Sequence, residues 1–224
     1  VDQLSNFLSG ILRYPIEQLP FVVITLLIAF TVHEFAHAYT AYKFGDPTAK
    51  DQGRLTLNPI QHLDPLGTIL ILIAGFGWAR PVPVNRRHFK NPRAAGVLVS
   101  LMGPVSNLLM AFIGYGIFYF IISSGSWTTT SNFIIDFLNV FIQLNMMLFV
   151  FNLFPLPPLD GYRIVEDLVS PSMRAKLTQY EQYSILVFLI ILVTPLDRYT
   201  IYPIMQAVST FFIRCFQSIF SMFM

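Results

Sequence analysis

From Leu19 to Tyr42 the chain is almost continuously apolar, and the only ionisable side chains in that run are His33, Glu34 and His37. The run exceeds the roughly 20 apolar residues that a helix needs to cross a bilayer. Pro20 suits the first turn of such a helix. On that helix a spacing of four places both imidazoles on one face, a turn apart, where a single ion can reach both. Glu34 sits beside them and can hold the water that the ion activates. A chance H-E-x-x-H match is the bland alternative, and it weakens inside an apolar span. Three ionisable groups placed together in lipid are costly and normally mark function. The pattern therefore predicts metal-assisted peptide hydrolysis at membrane depth.

Composition agrees with lipid contact. Of 224 residues, 54% are hydrophobic and 12% charged, against roughly 25% charged in an average soluble domain. The 14 basic and 12 acidic residues nearly balance, which gives no basis for nucleic-acid binding. One cysteine, Cys215, excludes an internal disulfide and a thiolate-rich metal site. It reads as a small apolar residue of a C-terminal helix. Residues 1–18 lack the basic start of a signal peptide and form either an interfacial stretch or part of a shorter helix.

Further apolar segments follow at 66–79, 94–122, 133–154, about 182–196 and 200–222. The segment 66–79 is short and glycine-rich, which favours a re-entrant loop over a crossing. Arg54 to Asn58 alternates enough to suggest a short strand. The expected fold is thus an all-α polytopic membrane protein. It has about five to six transmembrane segments, with a short strand or re-entrant region after the H-E-x-x-H helix. Residues 1–224 form one membrane-embedded domain, with no room for a soluble module of typical size.

Charge sets the orientation. The loop 80–93 carries Arg80, Arg86, Arg87, Lys90 and Arg93 without an acid, whereas 123–132 has no charge. The first belongs on the cytoplasmic side with Arg163, Arg174 and Lys176, the second outside. Lys43 is then cytoplasmic, and His33 lies ten residues away, roughly 15 Å along the helix.

Two imidazoles leave a catalytic zinc site one protein ligand short. Asp160 is the best candidate, in the stretch Asn152-Leu-Phe-Pro-Leu-Pro-Pro-Leu-Asp160-Gly161. Prolines 155, 157 and 158 prevent ordinary helix there and free backbone carbonyls. Such backbone is tolerated at depth only where it lines a cavity, and Gly161 allows close approach. Alternatively Asp160 caps the following helix; the residues alone leave both readings open. Asn107, beside Gly103, Pro104 and Ser106, is either an interhelical hydrogen bond or part of the site. Asn152 precedes unpaired backbone that can bond an extended substrate. His88 reads as a solvated side chain, His62 as a loop residue able to approach the site, and Asp64 as a cap for the next segment. Asp51, Asp64 and Arg54 are candidates for a gate.

Three elements in order resemble the site-2 protease family of intramembrane zinc metalloproteases, peptidase family M50: HEFAHA at 33–38, GPVSN at 103–107 and NLFPLPPLDG at 152–161. GRLTLNPIQHLDPLGT at 53–68 and GWARPVPVN at 77–85 are similar to the compact prokaryotic members without an appended regulatory domain. The resemblance covers the chain from about residue 19. It implies one catalytic Zn2+ on His33, His37 and Asp160, with Glu34 as the catalytic glutamate. It further implies Asn107 near the catalytic centre and Asn152 holding an extended substrate. Many relatives carry Gly-Gly after the aspartate, whereas Tyr162 follows Gly161 here; Tyr162 alters the access path or packs on the next helix and leaves the ligands intact.

The implied activity is cleavage of a peptide bond in or near a transmembrane segment of a membrane-embedded or membrane-tethered protein. The expected location is a prokaryotic cell membrane, with the site toward the cytoplasm. Two rivals remain: a divalent-metal transporter, for which the chain lacks internal pseudo-symmetry, and a non-proteolytic membrane scaffold, for which Glu34 has no purpose.

Overall fold

A computed structural model describes residues 14–74, 77–125 and 132–223. Most of residues 1–18 and the centre of the 123–132 loop lie outside the described residues. Among those described no strand forms, and the fold is all-α.

The first helix, α1 (Leu19–Lys43), has Pro20 in its first turn, preceded by a 3-10 turn at Ile16–Gln18. After the short α2 (Thr48–Asp51) comes α3 (Pro65–Ala74), then α4 (Pro92–Ser123) and α5 (Asn132–Asn152). The chain continues through α6 (Asp160–Leu168), α7 (Pro171–Val193) and α8 (Ile201–Ser221). Among the described residues three stretches are long and apolar enough to cross a membrane: Ile16–Lys43, Pro92–Ser123 and Asn132–Asn152. The pair Pro171–Val193 and Pro195–Ser221 meets the same measure as a bent unit, turned by 80° at Thr194-Pro195. Prolines at the first residue of both α4 and α7 fit helix starts, where no N–H is needed. Asn91 and Ser170 cap those helices by accepting from Ala94 N–H and Met173 N–H.

The chain folds back on itself after α3. Gly67 on α3 lies so close to the returning Gly77-Trp78 backbone that a Cβ at either glycine would overlap it. Arg80 N–H closes the excursion by bonding His62 O at 2.8 Å. The expected strand at Arg54–Asn58 does not form. Local bonds take its polar groups instead: Asn58 N–H donates to Thr56 Oγ1, Asn58 Oδ1 accepts from Ile60 N–H, and the Arg54 guanidinium reaches Arg80 O at 2.6 Å.

Helix α4 packs against α1, α5 and α6 and forms the centre of the bundle. One apolar cluster joins Ala111, Ile142, Phe149 and Phe216, and another joins Val22, Leu26, Ile71 and Leu148. The outward sides of α1, α4 and α7 leave Ile24, Ile28, Ile113, Ile117, Phe120, Val187 and Ile190 exposed, a surface suited to lipid. Polar side chains concentrate where α1, α4, α5 and α6 meet.

Candidate metal centre

His33 and His37 project from the buried side of α1 toward the middle of α4. Their Nε2 atoms are 3.0 Å apart. Asp160, the first residue of α6, faces both: Oδ2 lies 3.1 Å from His33 Nε2 and Oδ1 lies 3.3 Å from His37 Nε2. One donor atom from each residue falls within 4.8 Å of the others. Asp160 is the first residue of α6 rather than its N-cap, which is Leu159, and its carboxylate is turned toward the two imidazoles. Gly161 makes the approach possible, since a Cβ there would overlap the Leu153 and Phe154 carbonyls. Gly161→Ala therefore displaces the 153–159 connection and Asp160 with it; lowered thermal stability and lowered zinc content in the purified variant check this.

The outer nitrogens decide the character of the site. His37 Nδ1 donates to the Val99 carbonyl at 2.7 Å, and His33 Nδ1 donates to Asn107 Oδ1 at 2.6 Å. Each ring thus spends its N–H on an outer acceptor, leaving the Nε2 lone pairs turned inward. Two bare nitrogens and a carboxylate in mutual contact repel one another unless a cation lies among them. Asp160 Oδ2 is moreover buried without a hydrogen bond of good geometry despite its nearness to His33. Two imidazoles and a carboxylate match the three protein donors of a catalytic zinc site.

Helix α4 is shaped around this centre. A Cβ at Gly103 would overlap ring atoms of His37 and His33, so only glycine admits both rings there. Asn107 is fully buried and reaches on to Asn145 of α5, whose Oδ1 accepts from Asn107 Nδ2 at 3.1 Å. Asn145 in turn donates to Phe141 O at 2.9 Å. Asn145 escaped the sequence reading, although an amide in the middle of an apolar span is a signal in its own right.

Glu34 is buried, and its Oε2 accepts the Val82 N–H at 2.9 Å. That contact was also missed. Its signal was present in Pro81-Val82-Pro83, where extended backbone offers a single N–H between two prolines. Asn152 lies at the end of α5 with its Nδ2 bonded to Leu148 O in its own helix. His62 is buried and bonds Thr56 O at 2.8 Å, holding the loop rather than joining the metal group. Asp64 caps α3 through Gly67 N–H at 2.8 Å, and Tyr162 packs toward α7 through its hydroxyl on Leu177 O. Cys215 is half-buried on α8.

Comparison with known proteins supplies the family. The chain is 59% identical over 211 residues to the "Putative zinc metalloprotease YwhC" of Bacillus subtilis, covering 93% of this chain and 96% of that protein. The family model described as "Peptidase family M50" matches residues 119–195. The chain belongs to peptidase family M50. It is 32% identical over 182 residues to the "Putative zinc metalloprotease Rip2" of Mycolicibacterium smegmatis, across 78% of this chain and 67% of that one. A more distant relative is the "Putative zinc metalloprotease MJ0611" of Methanocaldococcus jannaschii, 27% identical over 164 residues, across 71% of this chain and 78% of that one. No solved structure matched at a significant level. This M50 protein is accordingly a zinc metalloprotease and an integral membrane protein.

Proposed function

We propose that this M50 metalloprotease is an intramembrane endopeptidase. It hydrolyses a peptide bond in or beside a transmembrane segment of a membrane-embedded or membrane-tethered protein. The observation that carries this reading is the convergence of His33, His37 and Asp160 on the buried side of an apolar, membrane-length helix. These three residues hold one zinc ion, with Glu34 beside them as the general base. Bound zinc supplies Lewis acidity, which lowers the pKa of water toward roughly 7 and polarises the scissile carbonyl.

The protein's own groups do the rest. Glu34 takes the proton of the attacking water and delivers it to the departing amine. The Val82 N–H at 2.9 Å fixes the direction of its carboxylate. Val99 O and Asn107 keep both imidazoles in the tautomer that leaves Nε2 free. A substrate helix hides its carbonyls in i to i−4 bonds and must unwind before attack. The non-helical stretch after Asn152 offers backbone to receive such an unwound strand, and Asn152 sits at its start to bond it. Asp160 retains 20% exposure of its side chain, which leaves a route for water. The basic loop 80–93 supports a site turned toward the cytoplasm, and the bacterial and archaeal relatives favour a prokaryotic cell membrane.

The test is cleavage of a single-span reporter by purified protein in proteoliposomes, with product termini read by mass spectrometry. Cutting within or next to the apolar span, abolished by chelation and restored by zinc, supports the proposal. Cutting confined to a soluble region far from the span, or none by zinc-loaded protein, overturns it. Asn107→Ala removes the acceptor of His33 Nδ1 and is expected to weaken zinc binding by about 10- to 100-fold. Competition against a fluorescent chelator measures that change.

A further inference from the structure

Segment 79–88 meets three buried carboxylates in ten residues. Val82 N–H bonds Glu34. Asn85 N–H and His88 Nδ1 bond Asp46 at 2.6 Å and 2.9 Å, and Asp46 also accepts from Thr48 N–H at 3.0 Å. The Arg86 guanidinium lies 2.9 Å from Asp167. Only Glu34 has a part in the proposed chemistry. Asp167 is 1% exposed on α6, seven residues after Asp160. Two turns separate them, roughly 10 Å along the same face. One short helix therefore carries a proposed zinc ligand at its start and the anchor of the 79–88 segment near its end.

We infer that Asp167 is a positioning residue: through Arg86 it straps segment 79–88 across Glu34 and locks that strap to the helix bearing Asp160. The inference rests on the proposed role of Glu34 and Asp160, and it explains a buried acid that the chemistry leaves unused. The carboxylate of Asp167 fills the space that a Cβ at Gly96 of α4 would enter, so α4 is hollowed to seat it. Arg86 approaches from the strap and Arg174, at 3.4 Å, from α7. On α6 itself the charged neighbours are Arg163 and Glu166, which pair with each other at 2.8 Å. Neither Asp167 oxygen has a hydrogen bond of good geometry, so the grip on Arg86 is one of charge.

That makes it sensitive to protonation. Burial pushes the Asp167 carboxyl up to about 6, opposed by Arg86 and reinforced by Glu166. Above about pH 6 the acid is charged and holds Arg86; below, it is neutral and the strap slackens. Global stability runs the other way. A folded-state value above the ordinary 3.8 means that protonation favours the fold, a contribution lost as pH rises through about 6. A strap that loosens on acidification while the whole fold does not is thus the signature of this tether.

Hydrogen exchange at the Val82 amide, corrected for the intrinsic pH dependence of exchange, reads the strap directly in zinc-loaded protein in detergent or nanodiscs. Arg86→Gln and Asp167→Asn should each speed that exchange about tenfold at pH 7.5. The double variant should exceed neither, and wild type at pH 5.5 should move most of the way toward them, while both variants respond less to pH than wild type. Arg86→Lys, which keeps the charge, should restore most of the protection. Should Asp167→Asn fail to fold, Arg86→Gln with its pH response decides alone, because Arg86 is a loop residue 27% exposed. Unchanged exchange in Arg86→Gln, or a wild-type strap indifferent to pH, overturns the inference. Zinc content and peptide cleavage are read in parallel: loss of the tether leaves the protease proposal standing, and an uncleaved reporter leaves the tether measurable.

Discussion

Glu34→Gln stops peptide cleavage and leaves the zinc in place. The expected loss is at least the roughly 10²- to 10⁴-fold that a positioned general base contributes. Glutamine has nearly the same shape, and its amide oxygen can still accept the Val82 N–H that Glu34 accepts at 2.9 Å. The strap therefore stays down and the proposed ligands are untouched; what disappears is the site that takes the water proton. Turnover of a single-span reporter and zinc per polypeptide, measured on the same preparation, check both halves. A transporter using the same three donors would keep its transport in this variant, and a scaffold would keep its binding. Retained cleavage would remove Glu34 from the chemistry.

Asp160→Ala produces the opposite pairing: zinc and cleavage are lost together. Two imidazoles alone leave the ion without its third protein donor, and the affinity loss should exceed the hundredfold or so that follows removal of a supporting hydrogen bond. The fold should survive, because Leu159 rather than Asp160 is the N-cap of α6 and the Asp160 carboxylate is turned toward His33 and His37. In metal-free protein the substitution should even relieve strain, since it removes one of three electron-rich groups packed together. Thermal unfolding with and without zinc separates these effects. The wild type gains stability from zinc by mass action, and the variant gains little at the same concentration.

Both variants concern residues that stand out in the bare sequence, and the reason is physical. Charged groups in an apolar span have few innocent explanations, so His33, Glu34 and His37 announce themselves. Asp160 was visible only as a choice between ligand and cap, because nothing local says which way a carboxylate at a helix start will turn. Folding α6 against α4 turns the carboxylate toward His33 and His37. The glycine-rich brevity of 66–79 hinted at a chain that turns back, and Gly67 and Gly77 are the residues that let its two arms touch. The strand expected at Arg54–Asn58 was a misreading of alternation. A strand needs an edge to pair with, and Asn58, Thr56 and Arg54 use their side chains on nearby backbone instead. The bend of 80° between Pro171–Val193 and Pro195–Ser221 is likewise a tertiary feature; the two segments were readable, their angle was not.

The three missed contacts share a cause. Val82 on Glu34, Asn145 on Asn107 and Arg86 on Asp167 each link residues tens of positions apart, with sequence separations of 48, 38 and 81. No periodicity or motif spacing encodes such pairs. Each nevertheless leaves a local trace: a lone N–H between two prolines, an amide in an apolar span, an acid on a short helix after a proposed ligand.

The central claim is that one zinc ion sits between His33, His37 and Asp160, inside the membrane-spanning bundle. Anomalous diffraction at the zinc edge from crystals of the wild-type protein tests it most directly. The account predicts one strong peak per chain, with two histidine nitrogens and a carboxylate oxygen at about 2.0–2.2 Å. A fully loaded protein whose only zinc peak lies away from these three side chains would contradict it.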